Sequence, residues 1–150
     1  MSQNTEARRR RLSLLAKAPH DRLIALWSDW NQTPAHGFLR PPEIGAVMVR
    51  GRAGATGAPF NLGEMTVTRC SVELAGSGTV GHGYVQGRSK EAAKIAALAD
   101  AIAEDGQAEA VETALIGPLA AEAEAKAAAR AAKAAATKVE FFTMVRGDNA

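Results

Sequence analysis

The stretch FNLGEMTVTRCSVEL, residues 60–74, is the longest β-prone run in the chain and decides its fold. It alternates between apolar and other side chains, as a strand with two different faces does. The alternation changes phase along the run, and its apolar residues form two sets: Met65 and Val67 on one face, and Cys70, Val72 and Leu74 on the other. A β-bulge near Thr68 and Arg69 would reconcile the two phases, so we expect one there.

Arg69 is the first candidate for a functional side chain. A bulge would turn its guanidinium, whose planar fork suits a carboxylate or a phosphate, out of an otherwise apolar and hydroxyl-lined strand. The alternative is that Arg69 faces solvent and blunts an edge strand against aggregation. The sequence favours this second interpretation without excluding the first.

Composition bounds the class of protein. The 150 residues are most simply one domain, 1–150, and 18 basic against 16 acidic residues give a net charge of +2. Such a balance provides no global field that would select nucleic acid or a membrane surface, so any anion site must be local. The single cysteine, Cys70, excludes an internal disulfide and is typical of a reducing compartment, where we expect it to be a small buried hydrophobe. With no signal segment and no membrane span, we expect a cytoplasmic protein.

The N-terminal part is expected to form a helical arm, residues 7–30. Leucine and tryptophan recur there at spacings of three and four, and Pro19 separates a helix over about 7–17 from a second over about 19–30. The four arginines at 8–11 could contact phosphates, but successive helical positions point in all directions, so we expect a solvated surface. Residues 31–42, with three prolines, are predicted to be a loop.

Two glycine-rich segments are read as hairpin connections. The first, Arg50 to Gly57, follows a weakly alternating strand over 44–50 that we expect to be buried on both faces. Arg50 and Arg52 with the glycine amides could cradle a phosphate, but a hairpin connection is favoured. The second, Gly76 to Gly81, has dinucleotide-type glycine spacing, yet no helix begins at its third glycine, which favours a turn.

The remaining candidates lie in and after the next strand, Thr79 to Gln86. We expect its His82 to be structural, and no metal-ligand spacing emerges from the three histidines of the chain. Ser89 is a plausible N-cap of a helix ending at Gly106, and Arg88 stands beside that helix N-terminus, which attracts anions.

The C-terminal part begins with a short helix, about 107–115, followed by an apolar turn at 115–119. The alanine-rich segment 120–138 should be helical, either as a spacer or as a surface for close approach by a partner. The closing tail, 139–150, is too apolar to be left free, so we expect it to dock into this domain or into another subunit.

Several motifs resemble one family, the PhnG subunits of the bacterial carbon–phosphorus lyase system. They span most of the chain: Pro42-Glu43-x-Gly45, Gly54-x-Thr56-Gly57 with Phe60, Gly63-Glu64-Met65-Thr66-Val67-Thr68-Arg69-Cys70, Tyr84-x-x-Gly87-Arg88, Leu115-Ile116-x-Pro118-Leu119, and Phe141-Phe142-Thr143-Met144-Val145-Arg146-Gly147-Asp148. The polar N-terminus and the alanine-rich segment carry little of the resemblance.

The resemblance implies a place in a core complex with PhnH, PhnI and PhnJ, and transiently with PhnL. That complex joins an alkylphosphonate to the ribose of ATP and releases adenine, so ATP is a substrate of the complex and not a cofactor of this chain. The residues themselves show no catalytic pair and no cluster ligands, so we expect a noncatalytic subunit. Its candidate anion or interface contacts are Arg50, Arg52, Arg69 and Arg88, and its candidate docking residues are Phe141, Phe142, Met144, Val145 and Arg146.

The fold expected is α+β, with a small, mainly antiparallel sheet over about residues 44–86 packed by helices from both ends of the chain. Two other functions remain open at this stage. A stand-alone nucleotide-binding enzyme would use the Gly51 to Gly57 loop, and a small nucleic-acid-binding protein would use the arginine run.

Overall fold

A computed structural model describes residues 3–139 of the chain. Within them lie five α-helices and three strands: α1 Gln3–Lys17, α2 His20–Trp30, β1 His36–Arg52, β2 Pro59–Leu74, β3 Val80–Gln86, α3 Lys90–Ile102, α4 Ala108–Val111 and α5 Gly117–Ala136. The strands form one antiparallel sheet in the order β1-β2-β3. The α+β prediction is therefore confirmed, although the sheet begins at His36 and the preceding loop is limited to residues 31–35.

The prediction of a β-bulge in β2 near Thr68 and Arg69 was wrong. These residues pair without interruption with Ile44 and Glu43 of β1 and with β3 on the other side. The irregularities near this point lie in β1, where the register shifts between Phe38 and Arg40 and again between Arg40 and Glu43. The second shift contains two prolines, which cannot donate ladder hydrogen bonds, so the extra residues are absorbed there.

Helix α3 packs directly onto β3 because the contact is made of the smallest residues. A Cβ atom placed on Gly83 would collide with the backbone of Ala93 and Ala97, and one on Gly81 with the backbone of Ala97 and Ala101. Each glycine thus permits a close approach of helix and strand. The alanines of α3 are fully buried at this contact and join a core with Val72 and Leu115 among its largest members.

The predicted start of α3 is confirmed, whereas α3 ends at Ile102, and a π-helical segment, Ala103–Gln107, follows with a kink at Gly106. The Ser89 hydroxyl accepts a hydrogen bond from the backbone amide of Ala92 at 3.1 Å, which is N-cap geometry. At the other end Gly106 has φ of 94°, the left-handed region in which glycine carries no steric cost.

The segment after α4 differs from the prediction. Residues 115–119 are helical and not an apolar turn: a π-helical segment, Glu112–Ile116, leads straight into α5, with Pro118 near its start where proline is tolerated. Residues up to Ala120 form one compact unit, and a second unit begins at Ala121. Across residues 3–139, no helix has both the length and the apolar character needed to cross a membrane.

The two long strands continue past the three-stranded part of the sheet. Toward the N-terminal end of β2, the last residue that pairs with β3 is Val67, which also pairs with Gly45 of β1. Beyond that row, residues 46–66 form a two-stranded ribbon closed by a short turn at Ala53–Ala55, which we call the hairpin arm. The glycine-rich loop at Arg50 to Gly57 is therefore a hairpin connection, as favoured from the sequence.

Candidate functional site

Arg69 lies on the central strand, on the sheet face away from α3. Its Nε donates to Oε1 of Glu43 on β1 at 2.5 Å, and Arg40 NH1 lies 3.4 Å from the same oxygen. Tyr84 stands directly opposite Arg69 on β3. Hydrogen bonding with Tyr84, and then with Glu43, raises the pKa of Arg69 above its usual value. Arg69 is thus not on an edge strand, and its guanidinium is paired with a carboxylate of the same chain, that of Glu43.

The next row of the same face carries a serine and a histidine. Ser71 Oγ and His82 Nδ1 are 2.9 Å apart, and Ser71 pairs with Arg40 on β1. These two residues, with Arg40, Glu43, Arg69 and Tyr84, make a partly exposed patch that we call the polar face. It offers two guanidiniums and several hydrogen-bonding groups, which suits recognition of a carboxylate or phosphate.

The polar face lacks the arrangement of a nucleophilic site. A serine is activated by a histidine that is itself oriented by a third group. Within residues 3–139, no carboxylate hydrogen-bonds to the His82 ring, whose Nδ1 is occupied by Ser71. The Ser71–His82 contact is therefore a cross-strand hydrogen bond between two polar residues of a sheet surface.

The other predicted arginines lie elsewhere. Arg50 and Arg52 are near the end of the hairpin arm, and Arg52 NH1 makes a long contact, 3.5 Å, with the Gly57 carbonyl oxygen. Arg88 is exposed in the turn between β3 and α3, next to the N-cap Ser89. The structure therefore does not bring the four candidate arginines into one anion site.

A buried ion-pair network was missed by sequence reasoning. Asp100 of α3 is fully buried and accepts hydrogen bonds from Arg8 Nε at 3.1 Å, from Arg8 NH2 at 2.7 Å and from Arg11 NH2 at 3.3 Å. Arg11 also donates to Glu104 at 2.6 Å, and the bond to Asp100 raises the pKa of Arg8. Arg8 and Arg11 are thus not a solvated surface: they fasten α1 to α3.

Cys70 is buried in the core against α3. Burial raises the pKa of its thiol to about 11, which favours the protonated form near neutral pH and is typical of a structural cysteine. Within residues 3–139, no three His, Cys, Asp or Glu side chains lie close enough to hold a metal ion.

The comparisons with known proteins decide the family. The family described as "Phosphonate metabolism protein PhnG" matches residues 6–147 of the chain. The chain belongs to the PhnG family. It is also 43% identical over 142 residues to a protein of Rhizobium meliloti (strain 1021) named "Alpha-D-ribose 1-methylphosphonate 5-triphosphate synthase subunit PhnG". The alignment covers 95% of this chain and 90% of that relative.

The motifs that carry PhnG membership can now be placed on the fold. The Gly63-to-Cys70 motif is the part of β2 that leaves the hairpin arm and enters the three-stranded sheet. The Tyr84-to-Arg88 motif supplies one residue of the polar face and the turn into α3. The tail motif, 141–148, lies outside the described residues, so the docking prediction for Phe141, Phe142, Met144, Val145 and Arg146 stays a prediction.

Two sizeable hollows of this PhnG-family chain have no lining residue from the polar face: a more open one of about 590 Å³ beside Trp30 and Glu109, and a more enclosed cavity beside Trp27. The cavity beside Trp27 has a volume of about 490 Å³ and is lined by α2, by the loop before β1 and by α3, including Trp27, Gln32, Pro34, His36, Glu91 and Lys94. The volume suits a small molecule or a partner side chain. No residue of the polar face lines it.

Proposed function

We propose that this chain is a noncatalytic subunit of the carbon–phosphorus lyase core complex. In that role it supports formation of alpha-D-ribose 1-methylphosphonate 5-triphosphate from ATP and methylphosphonate, with release of adenine. The observation that carries the proposal is the 43% identity to a named synthase subunit over nearly the full length of both proteins. PhnH, PhnI and PhnJ are its stable partners, PhnL is a transient one, and the complex acts in the cytoplasm.

The noncatalytic role is supported by the chemistry of the described residues. The one cysteine is buried and protonated, and the Ser71–His82 pair lacks an orienting group. The polar face is better suited to binding than to proton transfer, because it contains two guanidiniums, and Arg69 makes a charge-assisted hydrogen bond with Glu43.

Arg69 then has two roles to be distinguished. In the first role, Arg69 keeps its ion pair with Glu43, and both side chains contact a partner subunit. In the second role, Arg69 breaks that ion pair and binds the triphosphate of the substrate itself. The internal carboxylate favours the first role, because Arg69 already has a partner of opposite charge. Arg50, Arg52 and Arg88 are proposed as further contacts to acidic groups of partners.

The experiment is co-expression of the tagged chain with PhnH, PhnI and PhnJ, followed by purification and an assay of adenine release from ATP and methylphosphonate. Arg69→Ala is compared with Arg9→Ala, a control on the exposed surface of α1. An intact complex with undiminished adenine release would remove Arg69 from any catalytic role. An intact complex with reduced release would favour triphosphate binding, and loss of the complex would favour the interface role.

The apolar tail is proposed as a second point of attachment. Deletion of residues 139–150 is expected to remove the chain from the complex while the body of residues 3–120 keeps its helical circular dichroism. A truncated chain that still co-purifies at full stoichiometry would contradict this. If the full-length chain recovers no PhnH, PhnI or PhnJ, the proposed function itself is wrong.

A further inference from the structure

The hairpin arm, residues 46–66, exposes several large apolar side chains on one face and Met48 on the other. Cross-strand pairing places Val47, Val49 and Met65 on one face, and the bulged end of β2 adds Phe60 and Leu62 around Gly51. The opposite face carries Met48, which is 52% exposed. Leu62 is 67% exposed and Phe60 is 46% exposed, so the arm presents aliphatic and aromatic groups to solvent instead of the core.

Such a ribbon is a poor structure on its own. A two-stranded hairpin is marginally stable in water, and a cluster of exposed apolar residues beside an unpaired strand edge promotes aggregation. The three-stranded sheet supports only the base of the arm, because β3 pairs with β2 no further than Val67. An apolar surface of this kind on a protein normally marks an interface.

The charges of the arm indicate what covers it. Residues 46–66 contain two arginines, Arg50 and Arg52, and one acidic residue, Glu64. Among the described residues, no carboxylate oxygen lies within 4.0 Å of either guanidinium. The apolar residues of the arm match an apolar partner surface. Arg50 and Arg52, which lie near the turn of the arm, match carboxylates at the part of that surface that the turn contacts.

We infer that the hairpin arm inserts into an apolar cleft of another synthase subunit, with carboxylates of that subunit meeting Arg50 and Arg52. A cleft would cover both faces of the ribbon, the second of which contributes Met48. The inference rests on the proposed function, since it takes the partner from the same complex. It adds a docking surface formed by residues other than those of the polar face and of the tail, and the Val47 side of the arm continues the sheet face that bears Glu43 and Arg69.

The test uses two single variants of the tagged chain, Leu62→Asp and Met48→Asp, one for each face of the arm. Leu39→Asp is the matched control: Leu39 is on the same strand as Met48 and is 58% exposed, but it lies outside the arm. Each arm variant should reduce the PhnH, PhnI and PhnJ recovered with the tag at least about tenfold, as expected for a contact at the centre of an interface. The control should retain the complex, and all three chains should melt within a few degrees of the unsubstituted chain.

A second measurement needs no substitution. Met48 is exposed in the isolated chain, so peroxide should oxidise it readily there and at least about tenfold more slowly in the complex, where the arm is covered. The double variant Arg50→Glu/Arg52→Glu tests the charge and should also lose the complex.

The outcomes separate this inference from the proposed function. If the unsubstituted chain recovers no synthase subunits, the proposed function fails and the inference falls with it. If the complex forms and both arm variants retain it, or if Met48 is oxidised equally fast in both states, only the inference is overturned. A chain that is dimeric alone, with Met48 protected in the dimer, would make a second copy the occupant and would also overturn it. Full retention by the double arginine variant would overturn the acidic partner surface.

Discussion

Asp100→Ala tests whether the buried ion-pair network holds α1 onto the body of the protein. Both carboxylate oxygens of Asp100 are used: Oδ1 accepts from Arg8 Nε at 3.1 Å and Arg11 NH2 at 3.3 Å, and Oδ2 accepts from Arg8 NH2 at 2.7 Å. Oδ2 also accepts from the backbone amide of His82 at 3.0 Å, which ties the network to β3. One side chain thus joins two helices and a strand.

The cost of the substitution follows from what would be left behind. The Arg11 side chain is only 7% exposed and would keep Glu104 as its one carboxylate, while its Nε already lacks an acceptor. The His82 amide would lose its acceptor as well. Breaking a buried pair in this way costs about 3–5 kcal/mol. At about 2–4 °C per kcal/mol for a chain of this size, the melting temperature should fall by roughly 6–20 °C.

The assay is thermal and urea unfolding followed by far-ultraviolet circular dichroism. Arg10→Ala is the control, because Arg10 pairs with Glu112 at 2.8 Å on the exposed surface of the same helix. An exposed pair contributes about 1 kcal/mol or less, so this variant should melt within a few degrees of the unsubstituted chain. Asp100→Asn keeps an oxygen for the His82 amide and should fall between the two. Equal melting temperatures for Asp100→Ala and Arg10→Ala would refute the assignment of the network as the attachment of α1.

Three further predictions concern the packing of α3. Gly83→Ala should lower the free energy of unfolding by about 1–3 kcal/mol, because its new methyl group meets the backbone of α3. Gly45→Ala is the control and should cost less, because a Cβ atom at Gly45 meets no atom within 4 Å. Equal urea midpoints for the two variants would contradict this. Ser89→Ala should cost about 1 kcal/mol through loss of the N-cap, measured by the same unfolding curves, and an unchanged midpoint would argue against the cap. Cys70 should resist thiol reagents at pH 8 and react on unfolding. Because its pKa is raised to about 11 in the folded chain, its contribution to stability is present at neutral pH and is lost as the pH rises from about 9 through 11. Rapid labelling of the folded chain at pH 8 would contradict this.

The features that sequence reasoning recovered are those set by local chemistry. Pro19 marks the start of α2, Ser89 caps α3, and Gly106 ends the helical run with a positive φ. Each of these signals acts within a few residues of its own position, so a single sequence contains it. The hairpin turns were recovered for the same reason.

The features that sequence reasoning missed depend on contacts distant in the chain. Arg11 and Asp100 are 89 residues apart, and Arg10 and Glu112 are 102 apart, so nothing near the arginine run indicated its partners. The pairing of Arg69 with Glu43 was likewise invisible, because it depends on the register of β1 against β2. Four arginines on successive positions do point in different directions around α1, but two of those directions lead into the body of the protein.

The misreading of β1 is the most informative error. Its apolar run was expected to be buried on both faces, and the strand is instead an exposed edge strand whose Val47 and Met48 face solvent on opposite sides. An apolar pattern records that burial is favourable, but it does not record which chain provides the cover. In a protein that folds alone, the chain itself covers its apolar residues. In a subunit of a complex, another chain can cover them. The apolar pattern on both faces of β1 is therefore explained if another subunit covers both faces. The arm variants Leu62→Asp and Met48→Asp are designed to disrupt that contact.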